Sequence, residues 1–216
     1  MNTDYARLQM VNQQVRGWNV YDERVLEMLR KLPREHFVPG GFESLAFADT
    51  AIPLGHGECM MTPTIEGRVL QALGLQGGEN VLEIGTGSGF MTACLAKLSA
   101  HVTSVDIYDD FVESARHKLE AEGIDNVELM QMDATQKLPD GEFDAIAVTG
   151  SIQTFDPRYV EALSSRGRLF VVVGNEPAME AKLIERTNDH DWQTISLFET
   201  ALPPLVHGAL PPQFCF

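Results

Sequence analysis

The chain has 216 residues, 44% of them hydrophobic, and a formal net charge of −15 at pH 7, which suits one domain with a sizeable core. Such a charge repels the phosphate backbone of DNA or RNA, and no apolar run reaches the ~18 residues of a membrane span, so neither a nucleic acid nor a membrane is expected as a partner. The cysteines are odd in number and lack metal-ligand spacing, which predicts reduced thiols, no metal site and a cytoplasmic location: Cys59, Cys94 and Cys215.

Helical periodicity dominates the N-terminal third. Apolar residues recur at helical spacing over Asp4–Val15 and Val25–Leu32, and Asp22 can serve as the N-cap of the second helix. A third helix is predicted over Pro63–Leu73, with Thr62 as its cap and proline at its first position. We expect these helices to cover the substrate side of a sheet or one of its edges.

A glycine-rich segment, residues 55–61, leads directly into the third helix and is well placed to cover a bound ligand. Its His56 could act as a base, or could simply bond the local backbone. Cys59 is expected to be a small loop thiol rather than a nucleophile. Residues 1–75 are therefore predicted to form a helical cap with a loop for substrate and cofactor.

A strand, a glycine turn and a helix start follow one another in the middle of the chain. The apolar run Asn80–Ile84 is succeeded by Gly85, Gly87 and Gly89 at alternate positions, and a helical pattern over Met91–Leu98 begins at once. Glycine permits positive φ angles and has no Cβ to block close approach of the backbone. A helix N-terminus then presents free amide groups to a ligand.

The spacing of these glycines is tighter than the G-x-G-x-x-G of dinucleotide sites. A compact turn suits S-adenosyl-L-methionine (SAM), which has a methionine carboxylate and amine but no pyrophosphate. A glycine cluster alone also fits an ordinary βα turn, so the downstream sequence has to decide.

Four further strands and a helix are predicted beyond the turn. The helix covers Phe111–Glu122 and stops at Gly123, a residue type common just after a helix. The Asp109-Asp110 pair is expected to be its N-cap. The strands are His101–Asp106, Asn126–Met132, Phe143–Thr149 and Arg168–Val173. Their apolar character is typical of parallel strands buried on both faces.

Two of these strands lead into acids that suit a nucleoside. Asp106 lies about 20 residues beyond the turn, where a carboxylate can accept hydrogen bonds from both ribose hydroxyls; alternatively, it caps the next turn. Asp133 could accept a hydrogen bond from an adenine amino group. Because the carboxyl ends of parallel strands form one rim, Gly85, Asp106, Asp133 and Thr149 are expected to line one site.

Together these features resemble class I SAM-dependent methyltransferases. The resemblance implies an α/β, Rossmann-like three-layer sandwich whose mostly parallel sheet, within residues 76–200, ends in an antiparallel strand pair. It implies SAM as the cofactor. The expected cofactor-binding residues are Cys59, Met60, Glu83, Gly85, Thr86, Gly87, Gly89, Asp106, Ile107, Asp133, Ala134 and Thr149.

A narrower resemblance rests on an ordered series of motifs. They are Met10–Arg16, Val25–Glu27, Pro33–Pro39, Asp49 with Ile52–Gly57, and Val81–Gly89. From about Met10 to Gly174 the chain resembles protein-L-isoaspartate O-methyltransferase, which implies peptide or protein substrates with isoaspartyl residues. The resemblance also implies a helical cap and a twisted sheet of seven strands, for whose antiparallel pair Lys182–Thr187 and Trp192–Glu199 are the candidates.

One loop departs from the family pattern. The family typically has Gln-Thr-Ile-Ser, one residue and Pro, and its serine supplies the active-site hydroxyl. This chain has Glu58-Cys59-Met60-Met61-Thr62-Pro63, so Met61 stands where the serine belongs. Methionine cannot donate a hydrogen bond to a carboxylate, whereas Thr62 and Thr64 offer nearby hydroxyls. The candidate catalytic residues are Met61, Thr62 and His56.

Three hypotheses about the function therefore stay open. The first acceptor is an isoaspartyl carboxylate, which is ionised at neutral pH and needs no base. The second is a divergent acceptor with a hydroxyl or amine, which would need a base. The third hypothesis is a non-catalytic SAM-binding protein, which would need neither an acceptor nor a base. Glu199 and His190 are expected to be solvated. The tail, residues 201–216, contains Pro203-Pro204, Pro211-Pro212 and Phe214–Phe216, and could dock a partner, fold over the cleft or pack on the body.

Overall fold

The computed structural model describes residues 3–188 and 191–209, so the predictions for His190, Pro211-Pro212 and Phe214–Phe216 lie outside the described residues. In chain order its main elements are α1 (Thr3–Gln9), a π-helical segment (Met10–Val15), α2 (Glu23–Lys31), β1 (Ile52–Gly55), β2 (Glu58–Met60), α3 (Pro63–Leu73), β3 (Asn80–Ile84), α4 (Phe90–Leu98), β4 (His101–Asp106), α5 (Asp109–Ala121), β5 (Val127–Gln131), β6 (Phe143–Ile152), α6 (Arg158–Glu161), β7 (Leu163–Asn175), β8 (Ala178–Arg186) and β9 (Trp192–Glu199). Short 3-10 turns cover Arg16–Trp18, Arg34–His36 and Glu43–Leu45. Within the described ranges, none of the helices combines the length and apolar character that crossing a bilayer requires.

The central sheet has seven strands in the order β5-β4-β3-β6-β7-β8-β9. β5, β4, β3, β6 and β7 are parallel, and β8 runs antiparallel to both β7 and β9. The predicted fold class, a mostly parallel sheet with an antiparallel C-terminal pair, is confirmed. The strand order reverses between β3 and β6, and such a switch point opens a crevice at the carboxyl ends of the strands.

Alternating side chains bury both faces of the sheet. Val81 and Ala145 pack into the cluster that contains the residues of α2, α3 and α4. Their neighbours Leu82 and Ile146 point the other way, into a cluster completed by α6 and the loop that follows β5. Because side chains alternate along a strand, a continuous apolar run is required wherever both faces are covered.

The helix ends show where local sequence decides the structure. Asp22 accepts a hydrogen bond from the Arg24 amide at 3.0 Å, and Thr62 accepts one from the Ile65 amide, so both predicted caps are confirmed. The predicted cap at Asp109 and Asp110 is wrong. Helix α5 begins at Asp109 after Tyr108, so both aspartates lie in the first helical turn. Negative charge is stabilising there because it lies at the positive end of the helix dipole.

Several predicted elements differ in extent. The helix expected over Asp4–Val15 is α-helical to Gln9 and then widens into the π-helical segment. Strands β6 and β7 are longer than predicted, and β8 begins at Ala178 rather than Lys182. β7 and β8 pair continuously from Arg168 with Glu185 to Asn175 with Ala178, so the hairpin extends past the apolar runs that marked the strands.

Candidate functional site

A cavity opens at the carboxyl ends of the parallel strands. It is lined by the ends of β3, β4 and β6, the residues after β5, the hairpin β1–β2 and a C-terminal segment. The lining residues are Leu54, Glu58, Cys59, Ile84, Gly85, Gly87, Val105, Asp106, Ile107, Tyr108, Phe111, Met132, Asp133, Ala134, Thr135, Thr149, Gly150, Pro203, Pro204, Leu205 and Val206. Eight of the predicted cofactor residues lie in this lining: Cys59, Gly85, Gly87, Asp106, Ile107, Asp133, Ala134 and Thr149.

The glycine turn after β3 requires glycine for steric reasons. Gly85 has φ +100°, and a Cβ there would lie 2.3 Å from Thr149 Oγ1. The Thr149 hydroxyl is bound between the carbonyl oxygens of Ile84 and Gly85, at 2.9 and 2.7 Å. Gly89 has φ +82°, and its Cβ would lie 2.9 Å from that of Ala115. The turn thus lies tightly between β6 and α5, and its backbone faces the cavity.

Asp106 ties this turn to the next one. One carboxylate oxygen accepts a hydrogen bond from the Gly87 amide at 2.8 Å, and the other accepts one from the Tyr108 amide at 3.0 Å. Burial raises the pKa of Asp106, although backbone hydrogen bonds oppose the rise. A carboxylate has about four acceptor positions, so it can bond the backbone and still face a ligand. The cap interpretation and the ligand interpretation of Asp106 are therefore compatible.

Asp133 lies beyond β5 and has two partners. One oxygen accepts hydrogen bonds from the Thr135 amide and hydroxyl, at 3.0 and 2.6 Å, and the other lies 2.9 Å from His207 Nδ1. Partial burial favours the neutral acid, but the hydrogen bonds from Thr135 and His207 lower the pKa of Asp133. The carboxylate is thus held ionised at the edge of the cavity, with an acceptor position for a ligand.

The hairpin β1–β2 is anchored to α5 through His56. His56 and Gly57 both have positive φ, +54° and +88°, as the two-residue turn of a tight hairpin requires. The imidazole stacks on Tyr108 with ring centroids 4.0 Å apart, and Nε2 lies 3.0 Å from an Asp110 carboxylate oxygen. His56 bonds this side chain rather than the local backbone. It lines a second cavity beside the first one.

The loop after the hairpin carries the residues that differ from the family pattern. Cys59 is half-buried, and burial raises the pKa of its thiol, which fits the prediction of an unreactive loop cysteine. Met60 and Met61 are buried and line a small pocket beneath the loop, together with Thr86. Thr62 is absent from these linings, because its hydroxyl caps α3 and bonds Thr64 at 2.9 Å.

Arg34, from the Pro33–Pro39 motif, anchors this loop to the interior of the protein. The side chain is fully buried, and its guanidinium donates to the main-chain oxygen of Met61 at 2.7 Å. The same group pairs with the carboxylate of Glu66, with Nε 3.0 Å from one oxygen. Burying an ion pair is favourable only when its hydrogen bonds are satisfied, and here the loop carbonyl supplies one of the acceptors.

Glu83 was expected to bind the cofactor but lies beneath the glycine turn, outside the cavity lining. One carboxyl oxygen accepts hydrogen bonds from the Thr92 and Ser104 hydroxyls, and Ser104 in turn bonds Thr86 at 2.7 Å. The other oxygen, Oε1, is buried without a partner among the described residues. Burial raises the pKa of Glu83 to about 8. Its position suits support of the turn rather than contact with a ligand.

The described part of the C-terminal tail lies against the end of β6. The Ser151 amide donates to the Pro203 oxygen at 2.8 Å, the Leu205 amide donates to the Ser151 oxygen at 2.8 Å, and the Ser151 hydroxyl donates to the Leu202 oxygen. Residues 203–206 thereby form one wall of the cavity. Of the three alternatives for the tail, folding over the cleft agrees with this described part.

Several lining residues were not among the predicted site residues: Leu54, Glu58, Tyr108, Phe111, Pro203 and Leu205. Tyr108 and Phe111 flank the acids at the start of α5, and their aromatic character was the signal available. Pro203 and Leu205 lie in the tail, for which covering the cleft is one of the three alternatives given above. These residues reach the cavity through contacts that are distant in sequence.

Comparisons with known proteins agree with this architecture. The family described as protein-L-isoaspartate(D-aspartate) O-methyltransferase matches residues 6–209. A protein-L-isoaspartate O-methyltransferase of Methanoculleus marisnigri is 36% identical over 202 residues, covering 93% of this chain and 91% of the relative. Another, numbered 2, of Pelobacter propionicus is 33% identical over 207 residues, covering 95% and 92%.

The fold also resembles a solved structure. A Plasmodium falciparum protein described as a protein-L-isoaspartate O-methyltransferase, in complex with S-adenosyl-L-homocysteine, aligns with a TM-score of 0.81. The alignment covers 92% of this chain and 97% of that one at 20% identity, so this likeness concerns the fold.

Proposed function

Because the chain belongs to the protein-L-isoaspartate(D-aspartate) O-methyltransferase family, we propose that it methylates the carboxylate of isoaspartyl residues in peptides and proteins, with SAM as the methyl donor. The observation that carries this proposal is the cavity in which the glycine turn, Asp106 and Asp133 meet beside the β1–β2 hairpin.

The residues present fit the cofactor. Space for a Cβ is lacking at Gly85, and a buried carboxylate, Asp106, faces the same cavity. We assign the ribose hydroxyls to Asp106, the adenine amino group to Asp133, and the methionine portion to the turn of Gly85, Gly87 and Gly89. When bound, SAM supplies an electrophilic methyl group.

If the acceptor is a carboxylate, this chain has to orient the acceptor toward the methyl group but does not have to activate it by removing a proton. A carboxyl group with an ordinary pKa of about 4 is already ionised at neutral pH, so no general base is required. Correct positioning alone can contribute roughly 7–11 kcal/mol to a rate. Met61 supplies no hydroxyl for this task, which costs about 1.5–3 kcal/mol if a charged hydrogen bond is lost. His56, bonded to Asp110, would serve as a base only for a hydroxyl or amine acceptor.

The direct test is methyl transfer from labelled SAM to an isoaspartyl peptide, beside a twin peptide with a normal aspartyl residue. We expect label in the isoaspartyl peptide and little in its twin. Equal labelling of the two peptides would reject isoaspartyl specificity.

A second candidate is a family member with another small-molecule or protein acceptor. Met61 in place of the expected serine favours it, since the side chain is buried against the cofactor side of the loop. Fractionating cell extracts after incubation with labelled SAM would identify such an acceptor. A non-catalytic SAM-binding protein is the third candidate, and any product above background would eliminate it.

The organisation of the chain is likewise a proposal. We assign residues 1–75 to a cap with the substrate and cofactor loop, 76–200 to the Rossmann-like core and 201–216 to the tail of a single domain. The free thiols of Cys59 and Cys94 support a cytoplasmic location.

A further inference from the structure

The side chain of Glu58 has no hydrogen-bond partner within the described ranges, although it is only partly exposed to solvent. It is the first residue of β2, directly after the His56-Gly57 turn, so the tight hairpin fixes its position. No described residue donates a hydrogen bond to its carboxylate, and no described cation forms an ion pair with it. Burial raises the pKa of Glu58, the negative charge of Asp106 raises it further, and the neighbouring His56 lowers it. A carboxylate placed in this way has no ion-pair partner among the described residues.

Glu58 lies where two cavities meet. The first is the cavity assigned to the cofactor, and the second, beside it, is lined by the hairpin tip, the end of β6 and the C-terminal segment. Asp106, Asp133 and the glycine turn are all absent from the lining of the second cavity. The second cavity is therefore free for part of the other reactant, the methyl acceptor, and Glu58 borders both cavities.

Among the described residues that line the second cavity there is no other acid, no lysine and no arginine. Its only other titratable side chains are those of His56 and His207. Both histidines already have carboxylate partners outside this lining: His56 bonds Asp110, and His207 bonds Asp133. The charge of Glu58 is thus left for the ligand to neutralise.

The family resemblance adds a second reason to expect a cationic group of the acceptor beside Glu58. The family loop has glutamine where this chain has Glu58, so the difference is one negative charge with almost no change in shape. Opposite charges attract strongly where neighbouring groups exclude water, and a repelled or unpaired charge is costly there. We propose that Glu58 selects acceptor peptides with a lysine or arginine next to the isoaspartyl residue, an inference that rests on the proposed function.

The test uses three isoaspartyl peptides that differ only in the residue beside the isoaspartyl position: lysine, alanine or glutamate. For the wild type we expect KM for the lysine peptide to be about tenfold lower than for the alanine peptide, and KM for the glutamate peptide to be higher still. Glu58→Gln, which keeps the size of the side chain, should reduce the lysine preference to within about twofold. High salt should weaken the preference in the wild type.

Glu142→Gln is the matched control. Glu142 is exposed and precedes β6, at the end of the sheet opposite the cavities, so this variant should keep the wild-type preference. Calorimetry of SAM binding separates a role toward the acceptor from one toward the cofactor. Unchanged SAM affinity in Glu58→Gln, together with the lost preference, is the expected result.

Two results would overturn the inference while leaving the proposed function intact: equal KM for the three peptides in the wild type, or a lysine preference that survives Glu58→Gln. Weakened SAM binding in Glu58→Gln with the preference unchanged would assign Glu58 to the cofactor and overturn it as well. Methylation of none of the isoaspartyl peptides would reject the proposed function and this inference with it.

Discussion

The buried guanidinium of Arg34 donates a hydrogen bond to the main-chain carbonyl of Met61, across 2.7 Å. Arg34 belongs to the Pro33–Pro39 motif and Met61 to the loop before α3, so this bond joins a motif that carries the family resemblance to the loop that departs from the family pattern. Because the bond is to the backbone, it can form whichever side chain residue 61 carries. A different side chain can therefore be introduced there without removing this bond.

Met61→Ser should raise methylation of an isoaspartyl peptide by about one to two decades. The new hydroxyl can donate to the acceptor carboxylate, and a hydrogen bond to a charged group is worth about 1.5–3 kcal/mol. The variant also loses buried apolar volume, so its stability should fall. Rates must be compared at matched folded fraction, by single-turnover labelling with saturating SAM.

Met61→Ala is the control for this change, since it removes the same side chain without adding a hydroxyl. It should show the stability loss but no gain in rate. A serine variant no faster than the alanine variant would indicate that the loop serves another acceptor, and would favour the second candidate function.

Asp106→Ala should weaken SAM binding by roughly 1.5–3 kcal/mol, because the ribose loses a charged acceptor. The Gly87 amide loses its partner in the same variant, which adds to the effect. Titration calorimetry of the folded protein provides the measurement. Asp109→Ala, an exposed aspartate three residues away, should leave the affinity unchanged. Equal affinities for the Asp106 variant and the wild type would refute the ribose assignment.

Gly85→Ala should destabilise the protein by at least about 1–3 kcal/mol, the usual cost of overpacking. The added methyl group would lie 2.3 Å from Thr149 Oγ1, at a φ of +100° that alanine rarely adopts. Gly78→Ala has open space around its Cβ and should change the free energy of unfolding by less than about 0.5 kcal/mol. Urea unfolding of both variants tests the difference, and similar midpoints would contradict the steric argument.

Glu83 should make stability fall as the pH rises from about 5 to 8. Burial raises its pKa in the folded state to about 8, against about 4.3 in an unfolded chain. A raised carboxyl pKa gives a contribution that is fully present below the unfolded pKa and lost as the pH approaches the folded one. The slope should reach up to about 1.4 kcal/mol per pH unit.

The measurement is urea unfolding of the wild type and Glu83→Gln over this pH range. Other titrating groups are common to both proteins, so the difference between the two curves isolates Glu83. Curves that stay parallel from pH 5 to 8 would show that the carboxyl group is ionised in the folded protein.

Local features were predictable from the sequence, and distant ones were not. The caps at Asp22 and Thr62 depend on amides two or three residues away, and both were predicted. Asp110, which bonds His56, lies 54 residues further along the chain, and no local pattern encodes this contact. The aspartate pair at the start of α5 was misassigned as a cap because Tyr108, bonded to the Asp106 carboxylate, already occupies that place.

Glu83 shows a different limit. It shares a face of β3 with Val81, the side of the sheet packed by α4, so its carboxyl group meets Thr92 of that helix rather than the cavity. Alternation along the strand contained this information. Proximity to the glycine turn in sequence therefore does not place the Glu83 side chain in the cavity.

The wall formed by residues 203–206 also has a consequence for synthesis. The glycine turn and both ligand-facing aspartates are complete by residue 133, but the cavity closes only when residues 203–206 reach Ser151. Chains emerge from the ribosome N-terminus first. A nascent chain can thus fold most of its sheet early, yet the full ligand site exists only after residue 206 has emerged, so tight cofactor binding marks a chain that has been translated at least that far.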